Sequence, residues 1–216
     1  MTKNRNILIL TLYVIIFLTG VIFWYFFLNP FIKSNFENNK ILFELLWVSG
    51  KTLIWIIPVF IYLKYVDSVN SLEYLKFKCN IKSGVKWGVL LGIAFILIEL
   101  AKYHLTGKTI NFHMDVYYWI GGILVGFFEE IPFRGFLQQK IESLTNFWAA
   151  NIITTIIFML HHFPKWIYTR YELILVNSIF VVFLGLVFGF VFKKTKSLWS
   201  VVIFHSLADL ILFMGL

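Results

Sequence analysis

Apolar runs long enough to cross a bilayer recur along this chain, separated by short charged breaks. A helix of about 20 apolar residues spans the hydrocarbon core, so the pattern predicts a polytopic helical protein. The first run, Ile7 to Leu28, follows Lys3 and Arg5 and is expected to end at Asn29-Pro30. It is too long for a signal peptide and lacks a small-residue cleavage site, so it reads as a retained anchor. A second run, Ile41 to Tyr65, is interrupted by Glu44 and Lys51. These share a helix face and read as packing or interface residues. A less apolar stretch with Lys64, Lys76, Lys78, Lys82 and Lys86 follows, with a short amphipathic piece around Leu72–Phe77. Further spans are expected over Val85–Ala101, Val116–Leu137, a run beginning between Phe147 and Asn151, Leu173–Phe192, and Leu198–Leu216. His104 and His113 fall in a polar loop and read as solvated. The fold class is therefore all-α, a transmembrane bundle of about seven spans, or eight if the 65–84 segment dips into the bilayer. Residues 1–84 form an N-terminal pair of helices with a cytoplasmic segment, and residues 85–216 a membrane core.

Loop charge orients the bundle. With the N-terminus inside, the inner segments hold Lys3, Arg5, the lysines of 64–86, Lys140, Lys193, Lys194 and Lys196. The outer loops hold Lys33, Lys40, Lys102, Lys108, Lys165 and Arg170. The inner excess predicts a cytoplasmic N-terminus and an outward C-terminus.

Composition agrees: of 216 residues, 60% are hydrophobic and only 14% charged, with mean hydropathy +0.82. Soluble domains carry about 25% charged residues. The net charge of +8 sits mostly in loops, where it suits membrane topology and anionic lipid headgroups and does not point to nucleic acid. Cys79 is the single cysteine, which rules out an intramolecular disulfide and a cysteine-based metal cluster.

Against this background Glu129, Glu130 and Arg134 stand out within six positions of an apolar run. One ionised residue at mid-helix costs roughly 2.5–3.5 kcal/mol even on lenient scales. Such a cluster therefore faces protein or a cavity. Glu130 and Arg134 are an i,i+4 pair able to neutralise each other, while Glu129 points about 100° away. Pro132 predicts a kink or break beside them. Gly122 with Gly126, and Gly185 with Gly189, are small-xxx-small pairs that allow close helix approach. His161, His162, His205 and Asp209 lie on later spans, and His205 and Asp209 share a face. Counted by helical rise, Glu129 and His205 lie roughly 10 Å inside the cytoplasmic boundary. Singly, each histidine is as well explained by a hydrogen bond to a backbone carbonyl, and the charges by helix locking. Together a carboxylate and imidazoles in a protected cavity can activate water and stabilise an oxyanion. Glu129, His162, His205 and Asp209 are also an acceptable zinc ligand set, although the carboxylate-base account needs no metal.

Three motifs carry a resemblance. Glu129-Glu130-Ile-Pro-Phe-Arg134 resembles EExxxR, Phe158-Met-Leu-His161-His162 resembles FxxxH, and His205-Ser-Leu-Ala-Asp209 resembles HxxxN/D. They are the signatures of the CAAX-protease and bacteriocin-processing (Abi) family, which includes the Ras-converting prenyl-protein endopeptidases, over about residues 116–216. The resemblance implies a glutamate-type intramembrane endopeptidase. Glu129 and His162 would activate water, His205 and residue 209 would bind the oxyanion, and Glu130, Arg134 and His161 would support the site. Two departures matter: position 209 is Asp where the Ras-converting enzymes have Asn, and an ionised carboxylate cannot donate to an oxyanion. His161 beside His162 also leaves the histidine of the second motif ambiguous.

The expected activity is cleavage of a membrane-associated peptide or a lipidated C-terminus near the cytoplasmic face of a bacterial plasma membrane. A chain rich in Lys, Asn and Ile suggests an AT-rich bacterium, where bacteriocin or pheromone processing or self-immunity is favoured over CaaX processing. The alternatives are a non-catalytic immunity or scaffold partner and an ion or proton carrier. Membrane lipids and a peptide substrate are the expected partners, no cofactor is required unless zinc is used, and oligomeric state is left open.

Overall fold

The protein is described from a computed structural model covering residues 3–107, 109–112 and 116–215. His113, Lys108 and Asp115 lie outside the described residues, and His104 is exposed. The described chain forms eight helices and no strand: α1 (residues 3–36), α2 (Lys40–Val66), the single turn α3 (Ser71–Tyr74), α4 (Ile81–Thr106), α5 (116–144), α6 (Phe147–Tyr168), α7 (Ile174–Thr195) and α8 (Trp199–Met214).

Five helices, α1, α2, α4, α6 and α7, are long and apolar enough to cross a membrane. The other two expected spans are α5, which carries the acidic cluster, and α8, which has only 16 residues. Protein encloses α8 and the second half of α5: every residue from Ile131 to Gln138 is buried, as is most of the α8 surface, while Tyr118, Ile120 and Ile123 in the first half of α5 are exposed. Helices surrounded by other helices have less need of a continuous apolar surface. The 65–84 segment, the candidate for an eighth span, holds between α2 and α4 only the one-turn α3, too short to cross a membrane by itself.

Asn29-Pro30 does not stop the first helix, which runs on to Phe36. The chain widens into π-helix over Trp24–Leu28, and the Asn29 N–H bonds back to the Trp24 carbonyl. Absorbing an extra residue in one turn lets a proline follow without breaking the rod. Pro58 follows a second π segment, Thr52–Ile56. Pro132 lies inside another, Ile131–Gln138. At the kink or break predicted beside the carboxylates the helix continues through a widened turn, a form that recurs at functional sites.

One continuous apolar core joins α1 and α2 to α5–α8 around Trp24, Trp55, Phe133, Phe136 and Phe188. Glycines set the closest approaches. A Cβ at Gly126 would run into the Val202 carbonyl and would lie 2.5 Å from Ser206 Oγ, so α8 sits directly on α5. At Gly185 it would lie 2.8 Å from Thr155 Cγ2, and the glycine carbonyl there is open to Arg134. Both small-xxx-small pairs therefore act at helix crossings.

The lysine-rich end of the bundle is closed by the 67–80 segment. Leu75 is fully buried, Gln139 Nε2 donates to the Tyr74 carbonyl (2.9 Å), and Trp199 Nε1 donates to the Phe77 carbonyl (3.0 Å). Asn80 Nδ2 donates to the Thr195 carbonyl (3.2 Å), and Lys140 pairs with Asp67.

Candidate active site

A cavity of about 610 Å³ opens from the other end of the bundle and runs inward between α1, α2, α5, α6 and α8. Its rim carries exposed Glu37, Tyr118 and Lys165, and its floor Lys51, Glu129 and His161. Glu129 therefore lies deep in the bundle, reached from the end away from the lysine-rich loops.

The adjacent carboxylates diverge as their helical positions require. Glu130 is fully buried and its Oε1 accepts from Arg134 Nη1 at 3.0 Å and from His205 Nδ1 at 2.7 Å. Arg134 Nη2 donates to the Gly185 carbonyl (3.1 Å), and its guanidinium lies 4.2 Å from the Phe158 ring centre. Glu130 and Arg134 thus tie α5 to α6, α7 and α8. Removing one member would strand the other as an uncompensated buried charge, a loss of about 3–5 kcal/mol.

Glu129 faces three imidazoles. Its carboxylate oxygens lie 3.8 Å from His161 Nε2, 3.7 Å from His162 Nε2 and 3.9 Å from His205 Nε2. Both α6 histidines bond through Nδ1 to the Phe158 carbonyl, at 3.0 and 2.8 Å. A carbonyl only accepts, so each Nδ1 carries the proton and each Nε2 presents a lone pair toward Glu129. Phe158 also packs edge-on against His162 at 4.9 Å, so one residue fixes both rings. These separations are too long for direct hydrogen bonds and suit a small species held between acceptors. His205 differs. Its Nδ1–H is committed to Glu130, it stacks on Phe188 at 4.9 Å, and its Nε2 lies 3.7 Å from Asp209 Oδ1. Protonated at Nε2 it can donate into the space between Glu129 and Asp209.

All the residues singled out from sequence meet at this cavity or directly behind it. His161 and His162 reach Glu129 equally closely, so the ambiguity between them becomes a pair. The described residues that gather as a metal-type cluster are Glu129, His161 and His162, with ligand atoms within 4.8 Å of one another. The zinc set that sequence left as an alternative instead paired Glu129 and His162 with His205 and Asp209. Tyr25, Glu44 and Lys51, from α1 and α2, also line the cavity. Glu44 and Lys51 are thus cavity residues, where sequence favoured packing or interface roles. The available signal was the cost of a lysine in mid-span.

Residues 111–211 match the family model described as type II CAAX prenyl endopeptidase Rce1-like. No curated protein and no solved structure matches the chain. The matched stretch contains α5 to α8 almost entirely, and so all three motifs from Glu129 to Asp209, whereas Tyr25, Glu44 and Lys51 lie outside it. The chain thus carries, over residues 111–211, an Rce1-like domain of the CAAX protease family, which indicates a membrane protease, a hydrolase acting on a peptide or protein within a lipid environment.

Proposed function

We propose that the protein is a glutamate-type intramembrane endopeptidase in which Glu129 is the general base. The observation that carries this reading is a buried carboxylate ringed by three imidazoles at 3.7–3.9 Å, two of them with lone pairs turned inward. Glu129 takes a proton from water held against His162 and His161, and the hydroxide attacks the scissile carbonyl carbon. His205, held by Glu130, donates from Nε2 to the carbonyl oxygen as charge develops there. The proton on Glu129 then passes to the leaving amine. Asp209 orients His205 across the cavity in this scheme.

A second reading has a specific observation behind it. The Glu129, His161 and His162 cluster offers three N/O ligands with their imidazole tautomers set for metal binding. Zinc held there would supply a bound water ionised near neutral pH. The metal-free version is preferred because a carboxylate base with two imidazoles suffices.

The proposed substrate is a membrane-associated peptide: a bacteriocin or pheromone precursor, or a target in self-immunity, in a bacterial plasma membrane. The proposed side of cleavage follows the cavity. Its rim lies at the end with fewer basic residues, while the lysine-rich end is closed by the 67–80 segment. With the lysine-rich end cytoplasmic, substrate reaches Glu129 from the outer half of the membrane and not from the cytoplasmic face that the helix count suggested.

The experiment is mass spectrometry of membrane-peptide libraries, lipidated and unlipidated, after incubation with proteoliposomes with and without a zinc chelator. Chelator-resistant cleavage of unlipidated peptides is expected. Chelator-sensitive cleavage restored by zinc would replace the metal-free mechanism. No cleavage, together with full biological activity of Glu129→Gln in cells, would leave a binding-only membrane protein.

A further inference from the structure

Lys51 is buried at 6% exposure on the floor of the cavity, on a helix outside the matched family domain. Among the described residues its ammonium makes no salt bridge. It lies over aromatic faces, 4.4 Å from the Trp47 ring centre, 5.4 Å from Trp55 and 5.7 Å from Phe128. These rings stabilise a desolvated cation without using up its hydrogens as a carboxylate would. The cage is also part of the site. Phe128 directly precedes Glu129, and Trp55 stands edge-on to His161 at 6.2 Å.

The charge balance of the cavity gives this cation a purpose. Glu129 and Asp209 both present carboxyl groups to the reacting space, whereas Glu130 is engaged by Arg134 and His205. A tetrahedral oxyanion would add a further negative charge in a water-poor enclosure, where such charges repel strongly. Arg134 cannot answer it, being fully buried and committed to Glu130 and Gly185. Lys165 is out on the rim. Lys51 shares the floor with Glu129 and lines the same cavity as Asp209.

We infer that Lys51 is a further catalytic residue, its ammonium donating to the oxyanion of the tetrahedral intermediate. The inference rests on the hydrolytic reading of the Glu129 site. As the water oxygen bonds to the carbonyl carbon and its proton passes to Glu129, the carbonyl electron pair moves onto oxygen. Lys51 and His205 both stabilise that oxygen. Collapse of the intermediate returns the pair, breaks the C–N bond and delivers the Glu129 proton to the leaving amine, while Lys51 keeps its own protons. Lys51 thus supplies the positive charge that Asp209, a carboxylate in this motif, does not.

The test uses proteoliposomes and a peptide whose cleavage by wild type is lost in Glu129→Gln. Lys51→Met should lower kcat by about 10²–10³-fold, the usual cost of one oxyanion donor, with little change in KM. It should melt no lower than wild type, since an apolar side chain fills the aromatic cage. Lys51→Arg should recover part of the loss. In an Asp209→Asn background the penalty for Lys51→Met should shrink, because the new amide can donate in its place. Unchanged kcat in Lys51→Met would overturn the inference. So would a loss confined to KM, which would make Lys51 an anchor for an anionic group of the substrate, or an equal penalty in both backgrounds. Failure of the underlying reading shows elsewhere, as undiminished cleavage by Glu129→Gln.

Discussion

Glu129 and Glu130 are neighbours in the chain, yet a helical step of about 100° gives them separate surroundings. Glu130 meets Arg134 and His205 at hydrogen-bond distance, whereas Glu129 meets three imidazoles across a gap. Variants of Glu129 and of the Glu130–Arg134 pair should therefore separate stability from activity. Glu129→Gln should retain the thermal midpoint of wild type in detergent and lose at least about 10²-fold in cleavage rate. Arg134→Met should lower stability by about 3–5 kcal/mol, read as a large drop in the same melt. Equal melting of Arg134→Met and wild type would show that the buried pair is not what binds α5 to its neighbours. The split was legible in the sequence because an i,i+4 pair needs only helical geometry. Lys51 was visible as a charge in an apolar run, but periodicity gives its face and not what lies opposite. That required the packing of α2 against α5 and α6.

At the scale of elements, glycines and prolines decide where the reacting side chains stand. Gly126 lets the backbone of α8 rest on α5, which brings His205 to Glu130. Gly126→Ala should cost about 1–3 kcal/mol through overpacking and reduce cleavage by displacing α8. Gly121→Ala, where a Cβ meets nothing within 4 Å, should leave stability unchanged. Indistinguishable melts for the two variants would contradict the proposed contact. These close crossings were anticipated from small-residue spacing. Pro30 was expected to end a helix and does not, and Pro132, expected to kink or break one, lies within a π segment. Proline chemistry specifies a missing N–H and a steric clash. Whether the chain answers by stopping or widening depends on the packing around it, which for Pro132 is complete burial.

At the scale of the molecule, the cavity has a floor of ionisable groups, an exposed rim, and a far end sealed by the 67–80 segment. Cys79 lies in that seal and is partly exposed, so it serves as a native marker of the lysine-rich side. A membrane-impermeant maleimide added to intact cells should miss Cys79 and label Glu37→Cys on the rim in a Cys79→Ser background. Labelling of Cys79 alone would place the rim in the cytoplasm and reverse the proposed side of cleavage. The all-helical membrane fold was legible because hydrocarbon imposes long apolar runs. The direction in which the cavity opens was not, since it depends on how a polar connecting segment folds beneath the bundle. The central claim is that Glu129 removes a proton from the attacking water. It is tested most directly by comparing single-turnover cleavage by wild type and Glu129→Gln in proteoliposomes, with chelator present throughout. Cleavage by wild type and none by a fully folded Glu129→Gln is the expected result. Cleavage by Glu129→Gln at the wild-type rate would contradict it.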